Sequence, residues 1–542
     1  MVSIPNPPRW QRAISVLRPS NRHTAFTATL LLMASAMLSR VIGLVRVKYI
    51  AYLFGRNADA DALLAAFQLP DMISYFLVGG AASITFVTML SRYREQGRDA
   101  EGEHAMNVIL TTMTLVLGAA ILIAAFAAPL YVRWWFSGFS PAKAALTTQL
   151  TRILLPAQLC FLAGGVLGAV LLVRKQFAVQ AVAPLIYSLG TILGGVFLAR
   201  TLGIRSLAIG TLAGAICGPF LLNAIGARRV GVRYRPILEW SNPGLHEWVR
   251  MSIPLMLGVS LVTADTWIIN HYASHTGGAI SLLTYAKQIF TAPVALGQAA
   301  GAASLPFLAA LYGRRGEDGK PNPAPFARAV STSVSRILAF SIVLSAFMIA
   351  MAFPAVDLLL RGGAFHRADS ITMALYFATF SVSLCLWSAQ AIYARAFYAA
   401  GNTVTPMVAG TIVTLVSWPI YWSLYRSLGP LGLAIASDIG ILIQTLTLAI
   451  LLDRRRMVPL RDLEYPELLR SLLAAIVSYP ALAGLRLLIP ATSRLHELML
   501  LLVATIVWFA ISTAVLRLTG SSLLHQLLWR FGKGSRAVPE SM

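Results

Sequence analysis

The chain has 542 residues, of which 57% are hydrophobic and only 12% charged, too little polar surface for a soluble globular exterior. Its 44 Lys and Arg against 21 Asp and Glu give a formal charge of +23. In a soluble protein that balance suggests nucleic acid, but here the basic residues fall between apolar runs, so it is read as a membrane-topology signal and nucleic acid is set aside as a partner.

In chain order, residues 1–23 form a polar N-terminal segment with Arg9, Arg12, Arg18 and Arg22. The apolar run that follows is too long for a signal-peptide core and lacks a convincing small-residue cleavage site, so it is expected to stay as the first span. Apolar runs broken by Arg clusters, Pro and Gly predict fourteen spans, at roughly 24–54, 59–91, 105–136, 145–173, 178–201, 205–227, 245–272, 279–312, 326–353, 368–400, 403–427, 430–452, 467–489 and 496–518. A β-barrel would show ten-residue alternating segments instead of continuous apolar runs. The expected fold class is an all-α integral membrane protein. With the N-terminus cytoplasmic, one side holds Arg92, Arg94, Arg98, Arg174, Lys175, Arg228, Arg229, Arg233, Arg235, Arg314, Arg315, Lys320 and Arg454 to Arg456. That side carries about 25 basic residues against about 10 on the other, which puts both termini in the cytoplasm.

The chain repeats itself. Gly80-Ala81-Ala82-Ser83 with Phe86 recurs as Gly301-Ala302-Ala303-Ser304 with Phe307, 221 residues on. Pro184 pairs with Pro406, and Leu207-Ala208-Ile209 with Gly214 and Arg228-Arg229 recurs as Leu433-Ala434-Ile435 with Gly440 and Arg454-Arg455. Three matches in one order at nearly one offset argue for a duplicated unit of six spans. Because six is even, the copies enter the membrane from the same side and are expected to be related by an axis along its normal. The organisation is therefore an N-lobe over 24–228, a cytoplasmic linker over 229–244, a C-lobe over 245–453, two added spans within 465–520, and a cytoplasmic tail over 521–542.

No GxxxxGK[ST] loop, HExxH pair or strand-bound GxGxxG is present, so neither ATP hydrolysis nor a metal enzyme is indicated and no cofactor is expected. Cys160, Cys217 and Cys385 lie singly in apolar segments, which offers neither a disulfide framework nor a CxxC metal knuckle. What remains are ionisable residues at membrane depth, which are costly there and point to function: Arg40, Arg46, Lys48, Asp61, Asp71, Asp265, Lys287 and Asp438, with Arg395 near a span end. On a continuous helix Arg40 and Arg46 lie about 240° apart. A break near Gly43 would turn both toward one cavity, where planar guanidinium forks suit phosphate; the alternative is snorkelling to headgroups. Asp61 either stabilises a helix N-terminus or gates by pairing with the span-1 arginines, and Asp71 sits by an expected kink at Pro70. Gly79 and Gly80 permit bending or close helix approach, as does the small-residue ridge Gly210, Gly214 and Gly218. Asp265, with Asp438 as a second carboxylate, is a candidate Na⁺ or proton site, and Lys287 is its competing partner.

These residues resemble the MurJ/MviN lipid II flippases of the multidrug/oligosaccharidyl-lipid/polysaccharide exporter superfamily. The resemblance rests on Ser39-Arg40-Val-Ile-Gly43-x-x-Arg46, Asp61-Ala62 leading to Leu69-Pro70, Gly80-Ala81 with Phe86-Val87, Gly258-Val259-Ser260, Ile268-Ile269-Asn270, Tyr285-Ala286 with Pro293, Leu305-Pro306, and Phe397-Tyr398 with Thr405-Pro406. It implies two lobes around a cationic cavity lined by spans 1, 2, 7 and 8, with spans 13 and 14 forming a groove for a polyprenyl tail. Arg40 and Arg46 match the arginines thought to meet the lipid diphosphate, and Asp61 matches the acid that opens span 2. Lys48, Lys287 and Gln288 join the candidate substrate contacts. The chain departs from the family at Val47, Ser74-Tyr75, Gly79 and Lys287-Gln288, where acidic or arginine residues are common.

The resemblance implies outward transport of a polyprenyl-diphosphate glycolipid across the bacterial inner membrane by alternating access. Membrane potential, Na⁺ or H⁺ would drive it, and membrane lipids and the cell-wall synthesis machinery would be partners. Alternatives are another lipid-linked oligosaccharide as cargo, or a cation-coupled multidrug exporter, which the surplus of Arg and Lys in span 1 argues against. A glycosyltransferase would need a large outward loop bearing catalytic groups, and the outward loops are short.

Overall fold

The computed structural model describes residues 25–174, 176–257, 261–312, 323–489 and 493–521. Among them the secondary structure is helical, with one isolated bridge between Gly362 and Phe365. Nine of the described helices are long and apolar enough to cross a membrane, or ten if a pair bent by 43° counts as one span. These ten coincide with predicted spans 3 to 6 and 9 to 14. Helices also occupy predicted spans 1, 2, 7 and 8 but stand outside that count, so fourteen spans remains an expectation.

The chain divides into two compact units, residues 1–258 with 274–281, and 259–273 with 282–542. The division falls inside predicted span 7 and not in the 229–244 linker. In the first unit α1 (Ala25–Phe54) runs without interruption through Gly43. The break that would turn Arg40 and Arg46 toward one cavity is not present here, consistent with one glycine costing a helix only about 1 kcal/mol. Predicted span 2 is broken instead, into α2 (Ala58–Ala66), α3 (Gln68–Ile73), a π-helical segment Ser74–Val78 and α4 (Gly79–Glu95). Pro70, which has no N–H to donate, sits in the short α3. Next come α5 (Asp99–Trp135), α6 (Pro141–Leu154), α7 (Ala157–Val173), α8 (Phe177–Leu202), α9 (Arg205–Ala215), a second π-helical segment Ile216–Leu222, α10 (Asn223–Arg229) and α11 (Pro243–Leu257).

The small-residue ridge is a helix contact. A Cβ on Gly210 would lie 2.5 Å from the Gly190 carbonyl and 2.7 Å from Gly194 Cα. The backbones of α8 and α9 thus touch where only glycine fits, and Thr191 and Thr211 hydrogen-bond across the contact at 2.8 Å. Between α10 and α11 the linker is extended and lies along α5: Arg235 N–H donates to Asn107 Oδ1 (3.2 Å), Ile237 N–H donates to Thr111 Oγ1 (3.2 Å), and His104 Nε2 meets Glu239 (2.8 Å). Hydrogen bonds from His104 and Asn242 hold the Glu239 carboxyl below its ordinary range.

The second unit takes in α12 (Leu261–Ala273), then α13 (Ala279–Tyr312) from Leu282 onward, α14 (Ala324–Ala350), α15 (Ala352–Leu360), α16 (Arg367–Val382), α17 (Leu384–Ala399), α18 (Val404–Leu428), α19 (Pro430–Arg454), α20 (Tyr465–Leu488) and α21 (Arg494–Leu518). The duplication is visible in detail. α8 and α18 both end on a glycine in the left-handed region, Gly203 (φ +55°) and Gly429 (φ +61°), 226 residues apart. The segment after α19 straps onto α14 as the linker straps onto α5, with Glu464 N–H donating to Ser335 Oγ (2.9 Å) and Thr332 Oγ1 to Glu464 (3.1 Å). Beyond that strap α20 lies along α14, and α21 packs on α20 and α15.

Candidate functional site

Three constellations hold most of the candidate charges named from the sequence. On α1, Arg40 is exposed while Arg46 and Lys48 are half-buried. With the helix unbroken, the two arginines lie on different faces and are not brought together. Arg46 sits beside Asp71 of α3 and Tyr187 of α8, close enough to act electrostatically on both. Asp71 remains accessible at its broken helix. Arg46 therefore carries a local counter-charge, and Arg40 is the more open cation for an anionic ligand. Gly79 and Gly80 stand where the π-helical segment gives way to α4.

The second constellation is closed. Asp61 is 0% exposed; its Oδ2 accepts from Lys143 Nζ and from Gly278 N–H, both at 2.8 Å, and its Oδ1 accepts from Ser281 N–H at 2.8 Å. The expected pairing of Asp61 with the span-1 arginines is thus replaced by Lys143, whose side chain is 9% exposed and rests 4.1 Å above the Phe139 ring. Local sequence delivers both partners. Asn57 caps α2, accepting from Ala60 N–H at 2.9 Å, and Ser140 with Pro141 starts α6 one turn before Lys143. Neighbouring loops are pressed together, since a Cβ on Gly138 would lie 2.4 Å from His275 Cα. A fully buried carboxylate held by one cation and two backbone donors is a latch, charge-balanced and closed to solvent.

The third lies in the second unit. Asp265 of α12, 1% exposed, accepts from Lys287 of α13, from the Tyr421 hydroxyl of α18 and from Ser437 Oγ of α19 at 3.0 Å. Lys287 also donates to Thr266 Oγ1 at 2.8 Å, and its ammonium is 5.9 Å from the centroid of the Trp387 ring. Beside Ser437, Asp438 accepts from Ser383 Oγ at 2.5 Å and lies within electrostatic reach of Asp265. Lys287 is paired with Asp265, and Asp438 stands beside that pair as a second acid held by Ser383. Sequence reasoning named Asp265, Asp438 and Lys287 but missed Tyr421, Ser437 and Ser383. Nothing singles these hydroxyls out among many until helices far apart in sequence are packed. Gln288 follows Lys287 half-buried, and Arg395 donates to the Ala391 carbonyl of its own helix at 2.9 Å. The Gly258-Val259-Ser260 motif lies outside the described residues.

A family model described as lipid II flippase MurJ matches residues 50–512. A probable lipid II flippase MurJ of Vibrio cholerae serotype O1 is 28% identical over 426 residues, covering 75% of this chain and 79% of the relative. Among solved structures, lipid II flippase MurJ in an inward closed conformation superposes with a TM-score of 0.75 at 21% identity, over 90% of this chain and 99% of the other. A multidrug resistance MATE family transporter of the MOP superfamily, inward-facing, superposes with a TM-score of 0.63 at 16% identity, over 79% of this chain and 98% of the other. With the family match spanning most of a multi-pass helical chain whose buried charges sit on successive spans, the protein belongs to the lipid II flippase MurJ family.

Proposed function

We propose that the protein carries lipid II, the polyprenyl-diphosphate peptidoglycan precursor, outward across the bacterial inner membrane by alternating access, with both termini cytoplasmic. The observation that carries this reading is the family match over residues 50–512. The geometry supports a division of labour within it. Arg40, exposed on an unbroken apolar helix, offers planar donors to a diphosphate. Arg46, restrained by Asp71 and Tyr187, is the cation whose availability changes if that trio rearranges. The reaction is movement and not bond chemistry, so the residues act by binding and release. The departures at Val47, Ser74-Tyr75 and Lys287-Gln288 favour testing a second lipid-linked oligosaccharide as alternative cargo, and the MATE-like fold keeps drug export as a further comparison.

The deciding experiment is complementation of a strain depleted of its lipid II flippase. Rescue by the wild-type chain, lost in Arg40→Ala although the protein remains in the membrane, supports lipid II as cargo and Arg40 as its contact. Partial rescue by Arg40→Lys is expected, since a lysine keeps the charge and loses the fork. Failure of the well-expressed wild-type chain to rescue sinks lipid II as the cargo.

A further inference from the structure

The first unit contains a cleft that none of the charge constellations uses. Its volume is about 820 Å³, within the range of about 300–1,000 Å³ typical of small-ligand sites. The walls are apolar, including Leu110 of α5, Leu159 and Leu167 of α7, and Phe220 of the second π-helical segment. Its rim carries Arg228 at the end of α10 and Arg233 on the linker strap, both exposed. No acidic residue lines it, and among the described residues neither arginine has a carboxylate partner. Leu238 and Trp240, further along the same strap, are exposed apolar side chains, as expected of a segment lying at a membrane–water boundary.

In the second unit Tyr393 of α17 is buried in a core with Val334, Leu452 and Val458. There α20 lies along α14. In the first unit the chain leaves the strap as α11, which packs on α4 and α5. An apolar channel capped by two arginines and free of acids matches a lipid with a charged phosphate head and hydrocarbon tails.

We infer that this cleft holds a phospholipid with an anionic headgroup, its phosphate on Arg228 and Arg233 and an acyl chain against the leucines and Phe220. This resident lipid is distinct from the transported cargo, and the cleft shares no residue with the Arg46 trio.

Cys160 lines the cleft and serves as the reporter. In a Cys217→Ser/Cys385→Ser background, the full-length protein is placed in nanodiscs of phosphatidylglycerol or phosphatidylcholine and Cys160 labelling by a maleimide is timed. The expected result is labelling several-fold slower in phosphatidylglycerol, with the difference removed in Arg228→Gln/Arg233→Gln. As a second variant Leu167→Tyr should fill the cleft and remove co-purifying anionic phospholipid seen by mass spectrometry. Equal labelling rates in the two lipids overturn the inference, as does a difference that survives both arginine substitutions. Equal protection by inorganic phosphate in phosphatidylcholine discs would reduce the cleft to a simple anion site. Protection that tracks protein concentration would assign the cleft to a second copy, and protection produced only by added polyprenyl diphosphate would return it to the transport path; each of these also overturns the inference.

Discussion

Each unit buries an aspartate against a lysine, and the two burials differ in kind. In the first, Asp61 faces only donors: one ammonium and two backbone N–H groups, with formal charges cancelled. In the second, Asp265 accepts from Lys287 and from the Tyr421 and Ser437 hydroxyls, Lys287 also donates to Thr266, and a second acid, Asp438, lies within electrostatic reach of Asp265. One half thus holds a charge-balanced latch and the other a polar cluster in which a second acid stands outside the ion pair. A charge-balanced, backbone-anchored pair fixes a geometry, whereas a second buried acid beside a pair leaves a group that a proton, a cation or a rearrangement can satisfy.

The comparison presupposes that both straps lie on one side of the membrane, and topology is its all-or-none test. Reporters fused after Arg98, Arg235 and Arg456 should read cytoplasmic, and reporters in the 138–144 and 362–367 loops external. An external signal at Arg235 with a cytoplasmic one at Arg456 would break the parallel between the halves.

The next largest effect is on stability. Asp61→Asn leaves Lys143 buried without a counter-charge and should cost about 3–5 kcal/mol, read as a lowered unfolding midpoint in detergent. Lys143→Met in the same chain should recover much of it. No loss in Asp61→Asn would show that the latch contributes little.

Asp265→Asn separates the two kinds of burial. If the second cluster is a coupling site, the variant should flatten the sodium or pH dependence of transport with a modest loss of stability. If it is a second latch, stability should fall as for Asp61→Asn with ion dependence intact. Lys287→Met sharpens this further, because it leaves Asp265 buried with no cation beside a second acid. It should destabilise more than Asp265→Asn, and adding Asp265→Asn should relieve it; strictly additive losses would refute the pairing.

The smallest effect concerns the straps. Asn107→Ala and Ser335→Ala each remove one acceptor of a strap N–H and should cost about 1 kcal/mol. Hydrogen exchange should rise locally at Arg235 and Glu464 respectively. A global rise from either would mean that its strap holds more of the fold together than its hydrogen bonds suggest.

Much of this was legible in the chain. Span positions follow from apolar run length, and the arginine clusters and the repeat are carried by short identical strings, so both survive without an alignment. The Asp265–Lys287 pair was within reach too, because 22 residues separate its members on adjacent predicted spans. Helix breaks were less legible. α1 runs unbroken through Gly43 in this structure, since a single glycine yields to the helix around it; the interruptions after Ala66 and Leu154 have Pro70 and Pro156 beside them, whereas the one at Ser383 has no proline near it to announce it. Least legible was Asp61–Lys143: its members lie 82 residues apart, and nothing local to Lys143 distinguishes it from a cation at an exposed loop end.

The π-helical turn at Ser74–Val78 has a consequence for how this chain tolerates change in length. A π turn absorbs one extra residue while the helix beyond it keeps its facing. Deleting one residue there would let the turn relax into regular helix with α4 still presenting the same side to its neighbours. The same deletion within α4 itself would rotate every later side chain of that helix by about 100°. Natural length variation in this span should therefore collect at residues 74–78.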